Sequence, residues 1–166
     1  MKQQEAFIEM LATHKRILYK VAYSYCRQKE DRADLVQDMV LHLWRAYPQF
    51  DERVLFSTWM YKIAMNVAIS HYRSESKKLR ETLSLEEFGL DVAQADHLMD
   101  GQTENMKILE QLIRELDELN RGLILLFLDG YSNEEIASMM GLTNSNVSTR
   151  INRIKQKLQT QFLERS

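Results

Sequence analysis

The chain has 166 residues, 45% of them hydrophobic and 28% charged, and its 22 Lys and Arg against 24 Asp and Glu leave a net charge of −2. These proportions suit a soluble globular protein of one compact domain or two small ones. Five glycines, one proline and one cysteine exclude collagen-like and fully disordered chains and any internal disulfide. No apolar run approaches the roughly 20 residues that span a bilayer, and the first residues lack a secretory signal. We therefore expect a reducing, cytoplasmic location without direct membrane insertion.

The charges are distributed unevenly along the chain. Residues 57–80 carry a net charge of +4, residues 81–105 one of −7, and residues 143–166 one of +4. Two basic segments that flank an acidic one indicate a polyanionic partner. Solvated helix faces on either side of a solvated linker would give the same pattern, and charge alone leaves both interpretations open.

Helical apolar spacing dominates the first half of the chain, where glycine and proline are too scarce for a β-rich fold. Leu35, Met39 and Leu43 form one such row, and Pro48 ends that helix because the residue before a proline avoids helical geometry. A further helix is predicted over residues 57–73. Its predicted buried face holds Trp59, Met60, Ile63 and Val67. Its other sides are predicted to hold Tyr61, Lys62, Met65, Asn66, Ile69, Tyr72 and Arg73.

The regular spacing stops over residues 76–105, where serine, glycine and acidic residues dominate. We predict a flexible acidic linker there, with a short helix around Leu83–Leu90. Helical spacing resumes near Met106. The predicted fold is therefore all-α, with two small helical domains, residues 1–75 and 106–166, joined by the linker 76–105.

The C-terminal domain carries the signals of a helix-turn-helix. Gly130 can adopt the left-handed conformation that ends a helix, and Ser132 with Glu135 has the spacing of a capping box. Gly141 would end that helix after two turns, and Thr143 is the expected N-cap of a longer last helix. A short helix, a three-residue turn with glycine and a longer helix match the helix-turn-helix spacing.

The last helix has one apolar stripe and an opposite face that is polar and cationic. At about 100° per residue, the stripe consists of Val147, Ile151, Ile154 and Leu158. Asn, Gln and Arg side chains can bond base edges in a major groove, and Arg and Lys on the flanks suit phosphates. This face favours DNA binding over a merely solvated amphipathic helix. The candidate DNA-binding residues are Ser145, Asn146, Ser148, Thr149, Arg150, Asn152, Arg153 and Lys155.

Motifs in both domains resemble one known family. The first domain contains DLVQD at residues 34–38, LWRAY at 43–47 and FSTWMYKIAMNVAISHYR at 56–73. The second contains LDEL at 116–119, GYSNEEIA at 130–137 and VSTR at 147–150. In this order and spacing they resemble regions 2 and 4 of the bacterial extracytoplasmic-function (ECF) sigma factors, a group of the sigma-70 family. Three departures concern the candidate DNA contacts: Met65 stands where the family commonly has a basic residue, Ser145-Asn146 where many members have Gly-Thr, and Ser148 where many have Lys.

The resemblance implies a dissociable transcription initiation factor, with no enzymatic activity, cofactor, metal or small-molecule substrate. It would bind core RNA polymerase, read the −35 promoter element with the last helix, and recognise and open the −10 element with the first domain. The match to region 2.2 implies polymerase contacts by Asp34, Leu35, Gln37, Asp38, Leu41 and Arg45. The match to regions 2.3 and 2.4 implies −10 contacts by Tyr61, Lys62, Met65, Asn66, Ile69 and Arg73. The loop from residue 48 to 57 would capture a flipped base.

The resemblance also implies a regulatory partner. Members of the family are often held inactive by a soluble or membrane-bound anti-sigma factor, and a membrane-bound one would keep this chain at the inner membrane. Two alternatives from other classes stay open. A stand-alone helix-turn-helix repressor or activator would bind DNA by itself, usually as a dimer on half-sites about one helical turn apart. A helical enzyme or adaptor would lack support, because the sequence has no P-loop, no nucleotide-binding glycine pattern and no metal-ligand spacing.

Overall fold

A computed structural model describes residues 2–73, 88–91 and 101–166. These segments contain eight α-helices, one 3₁₀ turn and no strand. The chain divides into two compact units, Met1–Asp100 and Gly101–Ser166. The all-helical, two-unit fold predicted from apolar spacing is confirmed for the described part of the chain. No helix within it is long and apolar enough to cross a membrane.

Four helices form the first unit. They are α1 (Lys2–Thr13), α2 (Lys15–Tyr25), α3 (Lys29–Ala46) and α4 (Phe56–Arg73), with a 3₁₀ turn at Tyr47–Gln49 after α3. Helices α2, α3 and α4 pack against one another, and the predicted row Leu35, Met39 and Leu43 is fully buried between them. Pro48 lies in the 3₁₀ turn, at the place where it was expected to end α3.

A buried arginine holds the connection between α2 and α3. The Nε of Arg32 donates to the carbonyl oxygen of Cys26 at 3.0 Å, and its Nη2 donates to that of Arg27 at 2.8 Å. The guanidinium also lies over the ring of Tyr23, 4.7 Å from the centroid. Carbonyls at the end of a helix have no partner within the helix, so a buried cation with several donors can satisfy them.

Residues 88–91 pack on the first unit, where the sequence predicted linker. Phe88 and Leu90 are buried, the ring of Phe88 lies edge-on to that of Phe7 at 6.2 Å, and the amide of Asp91 donates to the hydroxyl of Tyr19 at 3.0 Å. The linker prediction is wrong for this segment, because burying the side chains of Phe88 and Leu90 lowers the free energy of the folded unit even though the surrounding sequence is acidic. The rest of the predicted Leu83–Leu90 helix and of the linker up to residue 100 lies outside the described residues.

The second unit contains α5 (Glu104–Arg114), α6 (Glu118–Leu128), α7 (Asn133–Met140) and α8 (Asn144–Arg165). Helix α8 packs on the other three. Thr103 caps α5 by accepting from the amide of Met106 at 3.2 Å, so the helix begins two residues before Met106. A buried arginine again holds a turn: Nη2 of Arg121 donates to the carbonyl oxygens of Arg114 and Leu116 at 2.6 and 2.9 Å.

Candidate nucleic-acid and protein interfaces

The turn between α7 and α8 has the geometry that the sequence predicted. The amide of Glu135 donates to the Ser132 hydroxyl at 3.1 Å, and the Glu135 carboxylate accepts from the Ser132 amide at 2.9 Å. Gly141 ends α7 in the left-handed conformation, with φ of 69°, which a residue with a side chain rarely adopts. Thr143 then caps α8 by accepting from the amide of Asn146 at 3.0 Å. The helix-turn-helix prediction is confirmed in these details.

The capping box has an electrostatic consequence. Two hydrogen bonds with Ser132, first with its backbone amide and then with its side-chain hydroxyl, hold the pKa of the Glu135 carboxyl below its ordinary value. A carboxylate in the first turn of a helix also favours the positive end of the helix dipole. A charged side chain therefore stabilises the first turn of the short α7, the helix that precedes α8 in the chain.

Helix α8 buries one side and exposes the other. The stripe Val147, Ile151, Ile154 and Leu158 is buried, as predicted. Six of the candidate DNA-binding side chains are exposed, namely Ser145, Asn146, Thr149, Asn152, Arg153 and Lys155. Ser148 and Arg150 are half-buried, and the Nζ of Lys155 lies 4.9 Å from the ring centroid of Phe127. The structure therefore brings the predicted residues together on one accessible, cationic helix face.

A hydrogen-bonded chain of side chains ties this face to the start of α6. The Nε of Arg150 donates to Oδ1 of Asn146 at 2.7 Å, and its Nη1 donates to Oδ1 of Asn120 at 3.2 Å. The Nδ2 of Asn120 donates in turn to Oδ2 of Asp117 at 3.2 Å. Sequence reasoning missed Asn120, since it lies 30 residues before Arg150 and no local spacing connects them.

The same side chains line an open groove of about 280 Å³ in the second unit. The start of α6 contributes Asp117 and Asn120, and α8 contributes Asn146, Thr149, Arg150, Arg153 and Lys157, with Leu116 and Ile154 completing the lining. Three cationic side chains against one carboxylate give the groove a positive balance, which suits a phosphate backbone that passes beside the recognition helix.

In the first unit, α3 carries the candidate protein-binding residues as a stripe. Asp34 and Arg45 are exposed, and Gln37, Asp38 and Leu41 are half-buried. Their spacings of three, four and seven residues place them on one side of the helix. Leu35 is different: its side chain is fully buried. The prediction of a surface contact by Leu35 is wrong, because the side chain belongs to the apolar row that α3 packs into the core.

Asp38 is held in place by a residue of another helix. Its Oδ2 lies 3.1 Å from Nδ1 of His71 on α4, and both side chains are half-buried. A carboxylate oxygen accepts, so Nδ1 carries the proton. The acid that the sequence singled out on α3 is thus oriented by a histidine 33 residues away.

Helix α4 exposes a narrower strip than its sequence indicates. Lys62 and Asn66 are exposed, and Ser70, one turn further on, extends the same row. Ser70 was missed, although the spacing of four residues would have identified it. The half-buried Trp59 and Ile63 are less enclosed than the predicted core face implied.

Three predicted DNA-contacting side chains of α4 are buried instead. Tyr61 is 1% exposed, Met65 0% and Ile69 7%, and the Tyr25 hydroxyl donates to the sulfur of Met65 at 3.5 Å. The predicted placement of these three on open sides of the helix is wrong, because α4 packs on both α2 and α3 and loses most of its circumference to the core. The side chain of Arg73, the remaining candidate on this helix, lies outside the described residues.

The loop before α4 is ordered by one aspartate and exposes two apolar side chains. Asp51 accepts from the Nε of Arg53 at 2.6 Å and from the backbone amide of the same residue at 3.0 Å. These hydrogen bonds hold the pKa of the Asp51 carboxyl below its ordinary value. Val54 and Leu55 are exposed, the latter by 74%. In the same loop, Phe50 packs against Phe56 and against other rings, at centroid distances of 5.0 to 6.2 Å.

Comparison with known proteins identifies the family. The family described as Sigma-70 region 2 matches residues 4–78, and the one described as Sigma-70, region 4 matches residues 106–158. The chain belongs to the sigma-70 family, in its ECF group. The two matched regions together cover most of this sigma factor, and they contain the helices that carry both candidate surfaces.

Individual relatives agree with this assignment. This sigma factor is 28% identical over 164 residues to the RNA polymerase sigma factor NccH of Alcaligenes xylosoxydans xylosoxydans, a match that covers 93% of this chain and 86% of NccH. It is 25% identical over 171 residues to the ECF RNA polymerase sigma factor SigW of Bacillus subtilis, with 96% and 90% covered. The solved structure of CnrH, a sigma factor of Cupriavidus metallidurans, in complex with the cytosolic domain of CnrY matches with a TM-score of 0.66 and 26% identity. That match covers 98% of this chain and 91% of CnrH.

Proposed function

We propose that this sigma factor binds core RNA polymerase and directs it to promoters that carry a −35 element read by α8. The observation that carries the proposal is the exposed face of α8, where polar and cationic side chains stand on a capped helix-turn-helix without an acidic residue among them. Asn152 and Arg153 lie at its centre and can bond base edges, while Lys155 and Lys157 on the flanks suit phosphates.

The proposed polymerase contact is the α3 stripe without Leu35. It consists of Asp34, Gln37, Asp38, Leu41 and Arg45. An accessible carboxylate between polar and aliphatic neighbours suits a basic helix of a partner protein, and charge pairs across an interface contribute to its specificity. Asp38 is the centre of this surface, since His71 fixes the direction of its carboxylate.

The proposed −10 contact combines α4 with the loop that precedes it. Lys62 and Asn66 remain candidate contacts, and Ser70 extends their row along the helix. Arg73 remains a candidate on the basis of the sequence resemblance. Single-stranded bases are held by a basic groove with apolar or aromatic stacking surfaces, and the loop offers Val54 and Leu55 beside the half-buried Trp59. Flipping a base costs a few kcal/mol of unstacking, which these apolar contacts would offset.

An anti-sigma factor is the proposed regulatory partner. The related CnrH is solved in complex with the cytosolic domain of CnrY, and the described surfaces of this chain include the exposed apolar side chains Leu128 and Leu163 in its second unit. A cytoplasmic site of action follows from the proposed work on core polymerase and promoter DNA.

The test is run-off transcription with core polymerase on a pool of genomic promoters, with and without the protein. We expect transcripts from starts that share a −35 and −10 pattern only when the protein is present. The variant N152A/R153A should change or relax the −35 preference, because each good bidentate base contact contributes about 1–3 kcal/mol of discrimination.

The matched control is Q159A/T160A, whose exposed side chains lie seven residues further along the same helix. It should leave the −35 preference unchanged. Specific duplex binding by the protein alone, with no start sites from active core polymerase, would overturn the proposal and favour a stand-alone repressor.

A further inference from the structure

The aromatic rings of the first unit form a continuous chain that ends at the loop before α4. Phe7 of α1 is fully buried, and three rings pack against it. Those of Trp44 and Tyr47 lie at centroid distances of 5.1 Å, and that of Phe88 lies edge-on at 6.2 Å. Phe88 is itself only 6% exposed. A residue from the segment between the two sigma regions therefore completes the packing around Phe7.

Tyr47 joins this chain to the loop. It lies in the 3₁₀ turn after α3, and its carbonyl oxygen accepts from the amide of Phe50 at 2.9 Å. Its ring lies 6.2 Å from that of Phe50, 6.4 Å from that of Phe56 and 6.3 Å from that of Trp59. These three rings, the loop cluster, also pack on one another at 5.0 to 5.5 Å. Tyr47 thus contacts both Phe7 and the loop cluster.

Close packing makes the two ends of the chain depend on each other. A side chain that is removed from a protein interior leaves a cavity, and its neighbours relax partly into that cavity. Aromatic pairs also prefer offset or edge-to-face geometries, which a displaced ring loses. Without Phe88, the rings of Phe7 and Tyr47 would shift toward the empty volume. The loop cluster would then lose one of the contacts that fix its arrangement.

We propose that Phe88 is a positioning residue for the loop before α4, which it holds through Phe7 and Tyr47 in the arrangement that receives a flipped base. The inference rests on the proposed function of that loop in −10 recognition. Phe88 acts through the other rings and is not itself a DNA contact. The segment between the two sigma regions thereby takes part in promoter opening.

The first experiment uses the free full-length protein and needs no promoter. In a W44F background Trp59 is the only tryptophan of the chain, so its fluorescence reports on the loop cluster. F88A should shift the Trp59 emission to longer wavelength and increase its quenching by acrylamide, because a looser cluster exposes the ring. F88L keeps most of the apolar volume and should have a smaller effect.

The second experiment measures base flipping by the full chain with core polymerase on forked promoter DNA. 2-Aminopurine is placed in turn at each single-stranded position of the −10 element, and the position with the largest fluorescence increase is the captured base. F88A should lower the flipping equilibrium there by roughly two- to tenfold, the size that a lost aromatic pair predicts. The affinity for a duplex that carries only the −35 element should stay the same.

V21A is the control for a general loss of packing. Val21 is fully buried in α2 of the same unit and carries no ring. It should leave the Trp59 signal and base flipping as in the original chain, at a temperature where thermal unfolding shows every variant to be folded. In a Y47L background the chain of rings is already interrupted, so F88A should have no further effect on flipping.

Three results would overturn the inference. They are a folded F88A variant with unchanged Trp59 fluorescence and flipping, an equal effect of V21A, and a full effect of F88A in the Y47L background. Each of them leaves the proposed function standing when the original chain still flips a −10 base. A complex of the original chain with core polymerase that flips no base would count against the proposed function of the loop itself.

Discussion

Asp38 and His71 illustrate how single residues acquire a defined geometry in this protein. Their side chains approach to 3.1 Å between α3 and α4, and each is only about one-fifth exposed. A half-buried carboxylate that accepts from a neighbouring ring loses rotamer freedom before any partner arrives. A carboxylate that is already oriented loses less conformational entropy on binding.

We expect H71L to weaken the binding of core polymerase by about 1 kcal/mol, or roughly fivefold, because Asp38 loses a donor that orients it. Fluorescence titration of labelled protein with core polymerase measures the effect. H71Q should recover part of the affinity, since its amide can donate. In a D38A background H71L should have no further effect, and additive losses would refute the coupling.

H42L is the matched control for H71L. His42 donates from Nδ1 to the backbone oxygen of Asp38 at 2.8 Å, on the same helix, but does not contact the carboxylate. The H42L substitution should leave the affinity for core polymerase close to that of the original chain.

At the scale of elements, the two helices of the helix-turn-helix and the helix before them all begin with a side-chain cap. Asp117, Ser132 and Thr143 each accept from the amide three residues further on, at 2.8, 3.1 and 3.0 Å. Helices as short as α6 and α7, with 11 and 8 residues, are marginal by themselves in water. Each cap satisfies one amide that would otherwise lack a partner. The spacing of these caps fixes where α6, α7 and α8 begin.

The capping box predicts a pH dependence. The pKa of Glu135 lies below its ordinary value of 4.5 because of its hydrogen bonds with Ser132. The carboxylate therefore stabilises the folded unit fully above the ordinary value, and this contribution is lost as the pH falls through the lower folded-state pKa.

NMR titration of the Glu135 side chain should show a midpoint below the ordinary value in the original chain. We expect S132A to raise that midpoint toward the ordinary value, because both the cap and its return hydrogen bond are weakened. S138A changes another exposed serine of α7 and should leave the midpoint where it is. An unshifted Glu135 in the original chain would contradict the capping-box account.

At the scale of the whole molecule, the boundary between the two units does not coincide with the ends of the helical apolar patterns in the sequence. Residues 88–91 belong to the first unit, where Phe88 and Leu90 are buried and Asp91 bonds to Tyr19. Burial and the charge of Asp91 raise the pKa of the Tyr19 hydroxyl, although the backbone hydrogen bond from Asp91 opposes this. An acidic stretch thus contributes apolar side chains to a core that precedes it.

We expect L90A to destabilise the first unit by about 2–4 kcal/mol, the usual cost of truncating a buried leucine. Both tryptophans of the chain, Trp44 and Trp59, lie in this unit, so fluorescence during urea unfolding reports on it selectively. L55A is the matched control, because Leu55 is 74% exposed and its truncation should change the stability by less than about 0.5 kcal/mol. Equal effects of the two substitutions would show that residues 88–91 act only as linker.

The amino-acid sequence predicts the helices, the caps of the helix-turn-helix and the two faces of α8. These features depend on residues three or four apart in the chain, whose contacts exist as soon as the helix forms. The capping box, the left-handed Gly141 and the stripe from Val147 to Leu158 are all of this kind. The family resemblance added the two candidate surfaces, and most of the residues it named are accessible.

Which other sides of the helices stay open depends on how the helices pack. Tyr61, Met65 and Ile69 are buried because two helices cover α4, and one period of apolar spacing cannot show how many neighbours a helix has. The pairs Asn120–Arg150 and Asp38–His71 join residues 30 and 33 positions apart. Such contacts arise only from packing, and they fix the directions of the Arg150 and Asp38 side chains.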